Sequence, residues 1–441
     1  MPTRRELGAL TIATAAAMSV DAEAAPAPYF VAAWTASVQG PYPTGNATAQ
    51  PELRFAFPDP DKGAVDQSFR LILRPDIWGR QARIRLSNVF GAKPVTFDHV
   101  YCGLQQDSAT LMPSTNRPVT FGGKSLVTIP PGRDTVSDPV TLTFVSTPAA
   151  PMLKGRRLAV SVHVVGETGP MTWHAKALTT SYISQPHAGA VTKTEAEDAY
   201  PYSTTSWYFL DAVEMTALPG TKAIVAFGDS LTDGTASTLN GNDRWPDVFS
   251  RRLHAAYGDK FAVVNAGIGG NRVVGPVDYA VRPFAGGPAA MDRLDRDVIS
   301  LANVGAVIWL EGINDFGTGG VEPGAVEAGV RDVVKRLRAG IPGVRIVMAT
   351  LPSALKSTNG DYGTPAIDAK RKAYNQFIRS AGIFDSVADF DAATTDPATG
   401  EMKAAFQPNS SIGGPGDRLH PNRAGYLAMG EAVDLRMITG A

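Results

Sequence analysis

An aspartate and a histidine stand three positions apart near the end of the sequence, in the segment GDRLHPN. In a turn that leads into a helix, Asp417 and His420 lie on one side, where the carboxylate accepts a hydrogen bond from one imidazole nitrogen. The other imidazole nitrogen is then free to take a proton. An ordinary surface turn explains the same spacing, so the pair is a candidate acid–base unit at this stage.

Ser230 is the candidate proton donor for that base. It follows the apolar run of residues 223–227 in the segment AIVAFGDSLTDG, where a buried strand gives way to a polar turn. A serine hydroxyl is a weak nucleophile until a neighbouring imidazole removes its proton. Capping of the next helix by Ser230 is the competing interpretation, and Thr232 replaces the second glycine of a GxSxG nucleophile elbow.

Two further positions offer hydrogen-bond donors for a negatively charged oxygen. Gly270 in GIGGNR exposes a backbone N–H with no side chain in the way, and Asn314 in GIND carries an amide after the apolar run AVIWL. With the backbone N–H of Ser230 they would form a three-donor oxyanion hole. A plain turn at Gly270 and a capping amide at Asn314 are the alternatives.

Polar residues next to these candidates are predicted to support the site and not to react. We expect Asp229 and Asp233 to fix the turn and cap the following helix. Arg272 and Asp315 are candidates for positioning loops or touching substrate, and structural ion pairing explains them equally well. Asn271 is a weaker candidate for the lining of the pocket.

The periodicity of the chain changes near residue 220. Residues 29–216 form short alternating runs rich in β-branched residues, with Gly and Pro between them, which predicts an all-β sandwich of jelly-roll type. From residue 223 apolar runs alternate with helical segments, which predicts an α/β fold with a parallel sheet and helices on both faces. Ligands bind at the carboxyl ends of such strands, where the polar segments lie.

Four segments follow from these patterns. We predict an export signal over residues 1–25, a β-sandwich accessory domain over 26–216, a linker over 217–222 and a catalytic domain over 223–441. The signal rests on Arg4 and Arg5 ahead of an alanine-rich stretch with a small-residue cleavage site, a pattern typical of twin-arginine export. A frayed helix of the mature fold is the alternative. The expected location is periplasmic or extracellular.

The bulk composition excludes several classes of partner. The 441 residues hold 41 Lys and Arg against 42 Asp and Glu, a net charge of -1, so no broad positive field is available for nucleic acid. No run after the signal reaches the ~18 apolar residues of a membrane span, so we expect no stable membrane insertion. Cys102 is the only cysteine, which indicates a packed thiol and no internal disulfide. No HExxH, P-loop or Cys/His ligand set suggests a metal or an organic cofactor.

Ser230 in GDSLTDG, Gly270 in GIGGNR, Asn314 in GIND and the pair Asp417 and His420 in DRLH occur in the order typical of the SGNH, or GDSL, hydrolase superfamily. The chain resembles a secreted bacterial member of it, and the likeness spans most of the second half. The resemblance implies a three-layer α/β/α, flavodoxin-like fold, a Ser-His-Asp triad and an oxyanion hole from the Ser230 N–H, the Gly270 N–H and the Asn314 amide. The β half, with RIRLSNVFG and RPVTFGG, is similar to the N-terminal region of secreted members.

The expected reaction is hydrolysis of a carboxylic ester through an acyl-serine, without a cofactor. Export and the β-sandwich favour short acyl esters of carbohydrates, either small molecules or polysaccharides. Lipase, lysophospholipase, arylesterase or thioesterase activity and an O-acetyltransferase are alternatives. A non-catalytic carbohydrate-binding protein is disfavoured because nucleophile, base and hole are all present. The sequence leaves the oligomeric state open.

Overall fold

The computed structural model describes residues 27–439. The predicted export signal over residues 1–25 lies outside the described residues. Up to Thr216 the chain forms antiparallel strands, which we call the antiparallel half, and from Lys222 it alternates strands and helices, which we call the parallel-sheet half.

The antiparallel half packs two main sheets face to face, as the alternating pattern predicts. One has the strand order β1-β15-β3-β8 with β9 beside β3, and the other has the order β13-β12-β2-β10-β4-β5 with β6 and β7 beside β4. Buried aromatic rings, among them Phe69, Phe97 and Phe209, fill the space between them. The strands are β1 (Phe30–Thr35), β2 (Val65–Leu73), β3 (Gln81–Ser87), β4 (Val95–Asp107), β5 (Thr110–Leu111), β6 (Arg117–Pro118), β7 (Leu126–Ile129), β8 (Asp134–Val136), β9 (Val140–Thr141), β10 (Leu158–Glu167), β11 (Trp173–His174), β12 (Ser181–Ile183), β13 (Tyr202–Thr204), β14 (Trp207–Tyr208) and β15 (Leu210–Thr216).

The parallel-sheet half contains one five-stranded parallel sheet with the order β17-β16-β18-β19-β20, which is flavodoxin-like. Its central strands are apolar throughout because helices cover both faces, and the predicted α/β class is confirmed. The strands are β16 (Lys222–Gly228), β17 (Phe261–Gly267), β18 (Val304–Leu310), β19 (Arg345–Ala349) and β20 (Ser386–Ala388).

Helices surround this sheet, and those of the described residues are too short or too polar to cross a membrane. Trp245 at the start of α2 is fully buried and packs against Phe390 at a ring distance of 5.3 Å. The helices are α1 (Ser230–Asp233), α2 (Trp245–Tyr257), α3 (Ala290–Leu294), α4 (Ile313–Phe316), α5 (Pro323–Gly340), α6 (Pro365–Ser380), α7 (Phe390–Thr394), α8 (Arg423–Ala432) and α9 (Arg436–Thr439). Turns of 3-10 or π helix span Pro151–Leu153, Gly258–Lys260, Asp295–Ile299, Gly360–Gly363 and Ala404–Phe406.

The two halves share one core. Strand β1 lies beside the edge strand β17, and the Ala32 N–H donates to the Ala302 carbonyl at 3.0 Å. The Asn303 amide donates to the Phe30 carbonyl at 2.7 Å. Buried apolar side chains from both halves form a single continuous cluster, so burial of apolar surface stabilises the halves together.

Cys102 on β4 is completely buried. Burial raises the pKa of its thiol to about 12, because the thiolate would lose its hydration, and nearby Arg117 offsets this only in part. Among the described residues it is the one free thiol, and its surroundings are those of an inert packed side chain.

The buried Arg293 side chain joins the carboxyl ends of two neighbouring strands. Its Nη2 donates to the Gly228 carbonyl at the end of β16 and its Nη1 to the Ala266 carbonyl in β17, both at 2.8 Å. Its Nε donates to Asn271 Oδ1 at 2.7 Å, and Asp297 balances its charge at 3.0 Å. Each of these acceptors is buried and would lose a donor if the guanidinium were removed, although Asp297 would keep its ion pair with Arg296.

We expect Arg293→Met to lower the free energy of unfolding by about 3–5 kcal/mol, because it removes four buried hydrogen bonds of a charged group, including the one to Asn271 Oδ1, and half of the positive charge beside Asp297. Urea unfolding followed by circular dichroism measures this. Arg282→Met is the matched control, since the Arg282 side chain is 83% exposed and should change stability by no more than about 0.5 kcal/mol. A loss below about 1 kcal/mol in Arg293→Met would contradict this role.

Candidate active site

Ser230 lies at the point where the central strand β16 ends and α1 begins. The Asp229 carboxylate caps that helix by accepting a hydrogen bond from the Leu231 N–H at 2.9 Å. Gly228 allows the strand to approach its neighbour closely, because a Cβ at this position would lie 2.1 Å from the Leu310 carbonyl oxygen. The serine is thereby held at the carboxyl edge of the sheet with its Oγ directed at the C-terminal segment.

The structure brings Ser230, His420 and Asp417 together. Ser230 Oγ lies 2.8 Å from His420 Nε2, and His420 Nδ1 lies 2.6 Å from Asp417 Oδ2. The second Asp417 oxygen accepts the backbone N–H groups of Leu419 and His420 at 3.0 and 2.9 Å, which fixes the turn. With Nδ1–H donating to Asp417, His420 Nε2 is an acceptor aimed at the serine hydroxyl.

Asp417 is set up to remain a carboxylate. Burial alone would raise the pKa of its carboxyl, but the hydrogen bonds and charge of His420 and the N–H of Leu419 hold that pKa well below its usual range. A carboxylate in this position also holds the imidazole ring in a fixed orientation through Nδ1.

The Asn314 amide meets the segments that carry the other predicted donors. Its Nδ2 donates to the Asn271 carbonyl at 2.8 Å and lies 3.3 Å from Asp229 Oδ2. The hydroxyl of Tyr362 donates to Asn314 Oδ1 at 2.7 Å, which fixes the orientation of the amide. Sequence reasoning missed Tyr362 because its segment, NGDYGT, carries no pattern beyond that of a turn.

Gly270 follows β17 in the left-handed backbone region, with φ +88°. Within residues 27–439 neither its N–H nor that of Ser230 has a hydrogen-bond partner, which leaves both available to a ligand. A side chain at Gly270 would also meet Asn46 Nδ2, which a Cβ would approach to 2.6 Å. The positive φ and this close approach both favour glycine at this position.

Two of the neighbouring interpretations need correction. Asp233 does not cap α2, since the Asp247 carboxylate accepts the N–H at the start of that helix. Asp233 Oδ2 instead accepts the Gly269 N–H at 2.8 Å, and its Oδ1 lies 3.2 Å from His174 Nε2. Asn271 is fully buried and does not line an open pocket.

Arg272 and Asp315 hold loops, and no ion pair joins either to an opposite charge within the part of the chain that the structure describes. Asp315 accepts the N–H groups of Val273 and Val274 at 2.9 and 3.0 Å. Arg272 donates to Thr318 Oγ1 at 3.0 Å and lies over the Phe284 ring. Both residues therefore shape the loop that follows Gly270.

The antiparallel half reaches this edge of the sheet, which sequence reasoning did not foresee. His174, the last residue of β11, contacts Asp233, and Lys176 Nζ donates to Thr235 Oγ1 at 2.6 Å. Asn46 Nδ2 donates to the Gly269 carbonyl at 2.7 Å. These contacts span more than 50 positions of sequence each, so no local pattern could reveal them.

Buried acids lie beneath the candidate site. Burial raises the pKa of Glu311 to about 7, and the charge of Arg293 and a hydrogen bond from Trp309 offset the effect only in part. Burial also raises the pKa of Asp229 well above its ordinary value, and the nearby Glu311 carboxylate adds to the shift. A second negative charge is costly in this buried region.

One group among the described residues has the composition of a metal site, and it lies away from the serine. Asp98, His99 and His163 on β4 and β10 place three ligand atoms within 4.8 Å of one another. His163 Nδ1 lies 2.5 Å from Asp98, and His163 Nε2 lies 3.1 Å from Asp66. Hydrogen bonds between these imidazoles and carboxylates account for the cluster without an ion.

A comparison with known protein families finds one that matches the region containing these residues. The GDSL-like lipase/acylhydrolase family matches residues 226–428, a range that contains Ser230, Gly270, Asn314, Asp417 and His420. This half of the chain belongs to that family. The protein is a carboxylic ester hydrolase of the SGNH, or GDSL, superfamily, as its sequence blocks predict. No curated protein sequence matches the chain.

Solved structures of esterases are similar to part of the chain. Est24, a carbohydrate acetylesterase from Sinorhizobium meliloti, matches with 17% identity and a TM-score of 0.36, over 48% of this chain and 95% of its own. The native aryl esterase of M. smegmatis matches with 18% identity and a TM-score of 0.37, over 48% and 95%. A carbohydrate acetylesterase family member from S. meliloti matches with 19% identity and a TM-score of 0.38, over 50% and 100%.

The raised pKa of Glu311 predicts how stability changes with pH. Below about pH 4.5 the acid is protonated in both the folded and the unfolded protein. Between about pH 4.5 and pH 7 the folded protein holds a proton that the unfolded chain releases. The free energy of unfolding therefore falls as the pH rises through this range. Glu311→Gln removes this effect and still accepts the Trp309 N–H. We expect the difference in free energy of unfolding, Glu311→Gln minus wild type, to increase by about 3 kcal/mol between pH 4.5 and pH 8.

Urea unfolding at a series of pH values measures the difference between the two proteins. Glu431→Gln, an exposed position on α8, is the control and should show a flat difference. An equally flat difference for Glu311→Gln would show that the acid is ionised in the folded protein across this range.

Proposed function

We propose that the protein hydrolyses esters through an acyl-enzyme on Ser230, with His420 as general base and acid and Asp417 as its partner. The observation that carries this proposal is the pair of short contacts on the two nitrogens of one imidazole, 2.8 Å from Ser230 Oγ to His420 Nε2 and 2.6 Å from His420 Nδ1 to Asp417 Oδ2. Both distances lie within hydrogen-bond reach, as proton transfer requires.

In the first step Ser230 Oγ attacks the ester carbonyl carbon while its proton passes to His420 Nε2. The carbonyl π electrons move to the oxygen, and Asp417 stabilises the imidazolium. When the tetrahedral intermediate collapses, the bond to the alcohol oxygen breaks and His420 returns the proton to that oxygen. The alcohol leaves, and the acyl group stays on the serine.

In the second step water takes the place of the alcohol. His420 Nε2 accepts a proton from the water as its oxygen attacks the acyl carbon, and a second tetrahedral intermediate forms. Collapse of this intermediate breaks the bond to Ser230 Oγ, which regains its proton from His420. The products are a carboxylic acid and a regenerated enzyme, with no metal or cofactor in the sequence of steps.

The N–H groups of Ser230 and Gly270 are the first two donors of the proposed oxyanion hole. The Asn314 amide supplies the third by exchanging its longer contact, 3.3 Å to Asp229, for the substrate oxygen while it keeps the 2.8 Å bond to Asn271. Tyr362 keeps the amide in the required orientation during this exchange. Donors fixed in advance stabilise a developing oxyanion without reorganisation.

For the substrate we propose short acyl esters of a polar, sugar-like alcohol. Lys176 and Thr235 place an ammonium and a hydroxyl beside the Gly269 segment, and such groups bind hydroxyls. The predicted export signal, with Arg4 and Arg5, supports a role on material outside the cytoplasm.

Longer acyl esters, such as those of lipids, are the second candidate. The loop that leaves the site at Arg272 returns to it at Gly286, and it exposes the side chains of Val277 and Val281 at 98% and 81%. Two exposed apolar side chains on the loop that follows Gly270 favour contact with an acyl chain.

We expect Ser230→Ala to reduce ester hydrolysis by about 10⁶-fold, the scale of triad knockouts, because no other group forms the acyl intermediate. Turnover of p-nitrophenyl acetate and covalent labelling by a fluorophosphonate measure the effect. Ser380→Ala, exposed on α6, is the control and should label and turn over normally. Wild-type turnover in Ser230→Ala would refute the proposed mechanism.

For short-acyl specificity we expect kcat/KM on p-nitrophenyl esters to fall by at least about 10-fold from acetyl to octanoyl. The double variant Val277→Ser, Val281→Ser should keep the same profile, as should a control, Leu218→Ser, at another exposed apolar position. A wild-type preference for octanoyl that the double variant loses would favour the lipid candidate instead.

A further inference from the structure

The peptide unit that joins Gly269 to Gly270 is held by the antiparallel half of the chain. Asn46 Nδ2 donates to the Gly269 carbonyl oxygen at 2.7 Å. The N–H of the same peptide unit belongs to Gly270 and has no partner among residues 27–439. In a planar trans peptide the C=O and the N–H point in opposite directions, so a residue that fixes the carbonyl also fixes the direction of the N–H.

This peptide unit needs such a restraint. Neither of its two glycines carries a side chain, and Gly270 occupies φ +88°, where glycine moves between conformations at low cost. A rotation of the peptide plane would replace the N–H by a carbonyl oxygen. An oxygen in that position would repel a developing oxyanion, whereas an N–H stabilises it.

The loop that carries Asn46 is anchored on both sides. Two residues earlier, the Thr44 carbonyl accepts the indole N–H of Trp173 at 3.1 Å. Four residues later, Gln50 Oε1 accepts the Thr205 N–H at 3.0 Å. The amide of Asn46 is therefore presented by a fixed loop, although the residue itself is exposed.

A second contact holds the other side of Gly269. Its N–H donates to Asp233 Oδ2, and Asp233 is in turn held by His174, whose Nδ1 lies 3.1 Å from the Ser37 carbonyl. With the N–H of Gly269 fixed by Asp233 and its carbonyl by Asn46, the segment has little freedom left. Both supports lead to residues of the antiparallel half.

We propose that Asn46 is a positioning residue that orients the Gly269–Gly270 peptide so that the Gly270 N–H faces the oxyanion. The proposal rests on the proposed function, in which Gly270 is an oxyanion donor. It also gives the antiparallel half a direct part in the chemistry of the site, through one exposed side chain.

Three variants separate this role from others. Asn46→Ala removes the hydrogen bond, and we expect kcat to fall about 10-fold with KM changed less than about 2-fold, since losing an entire oxyanion donor costs 10²- to 10³-fold. Asn46→Asp places a carboxylate against the Gly269 carbonyl and favours the rotated peptide, so we expect a loss of about 100-fold. Asn46→Gln keeps a donor and should recover part of the loss in Asn46→Ala.

The affinity of an alkyl boronic acid, which forms a tetrahedral adduct with Ser230, should fall in parallel with kcat across these variants. Asn116→Ala is the matched control. Its amide also donates to backbone carbonyls of the antiparallel half, those of Thr192 and Lys193, and its loss should leave kcat and boronate affinity unchanged. Thermal unfolding verifies that each variant is folded.

The order wild type, Asn46→Gln, Asn46→Ala, Asn46→Asp in kcat, with KM nearly constant, would support the proposal. Wild-type kcat in both Asn46→Ala and Asn46→Asp would overturn it, and so would a loss confined to KM, which indicates a substrate contact. Neither result bears on the proposed function. That proposal would be refuted separately, by wild-type ester hydrolysis in Ser230→Ala.

Discussion

The geometry of the candidate active site depends on one guanidinium that is shielded from water. Arg293 donates to the carbonyls that end β16 and β17 and to the side chain of Asn271, so it holds the loops that carry Ser230 and Gly270 at a fixed separation. Glu311, 3.8 Å away, extends the same network to the end of β18, just ahead of Asn314. The planar fork of an arginine can serve several acceptors in fixed directions at once, which a lysine ammonium cannot.

This network explains why the donors of the site are arranged before any substrate binds. A buried charge is costly unless each of its hydrogen bonds is made, and Arg293 meets that condition through Asp297 and the strand ends. The loops then have one arrangement of low energy, because any other would leave a buried donor or acceptor unpaired. An ester hydrolase gains from such a site, since fixed dipoles need not reorganise when negative charge develops.

Much of this architecture could be predicted from the sequence. The change from alternating to α/β periodicity, the parallel sheet and the meeting of Ser230 with the Asp417 and His420 segment follow from local patterns and from the rule for strand ends. Arg293, Tyr362 and Asn46 could not be found in this way. Their contacts with Asn271, Asn314 and Gly269 join positions that are 22 to 223 residues apart, and each residue type is common on ordinary helices and loops.

The histidines illustrate the same limit. In the sequence, His420 stands out because Asp417 is three positions away. In the folded protein His163, His174 and His254 also have carboxylate partners, in Asp98, Asp233 and Asp76, all distant along the chain. What distinguishes His420 in three dimensions is the serine hydroxyl on its other nitrogen.

The burial of Cys102 has a practical consequence. The natural thiol is buried beneath its neighbours on β4 and resists ionisation. Maleimide and disulfide reagents therefore find no reactive thiol among the described residues of the folded protein. A spin label or fluorophore attached to a cysteine engineered on the loop around Val277 or beside Asn46 would thus report from that place alone, with the native sulfur left in position.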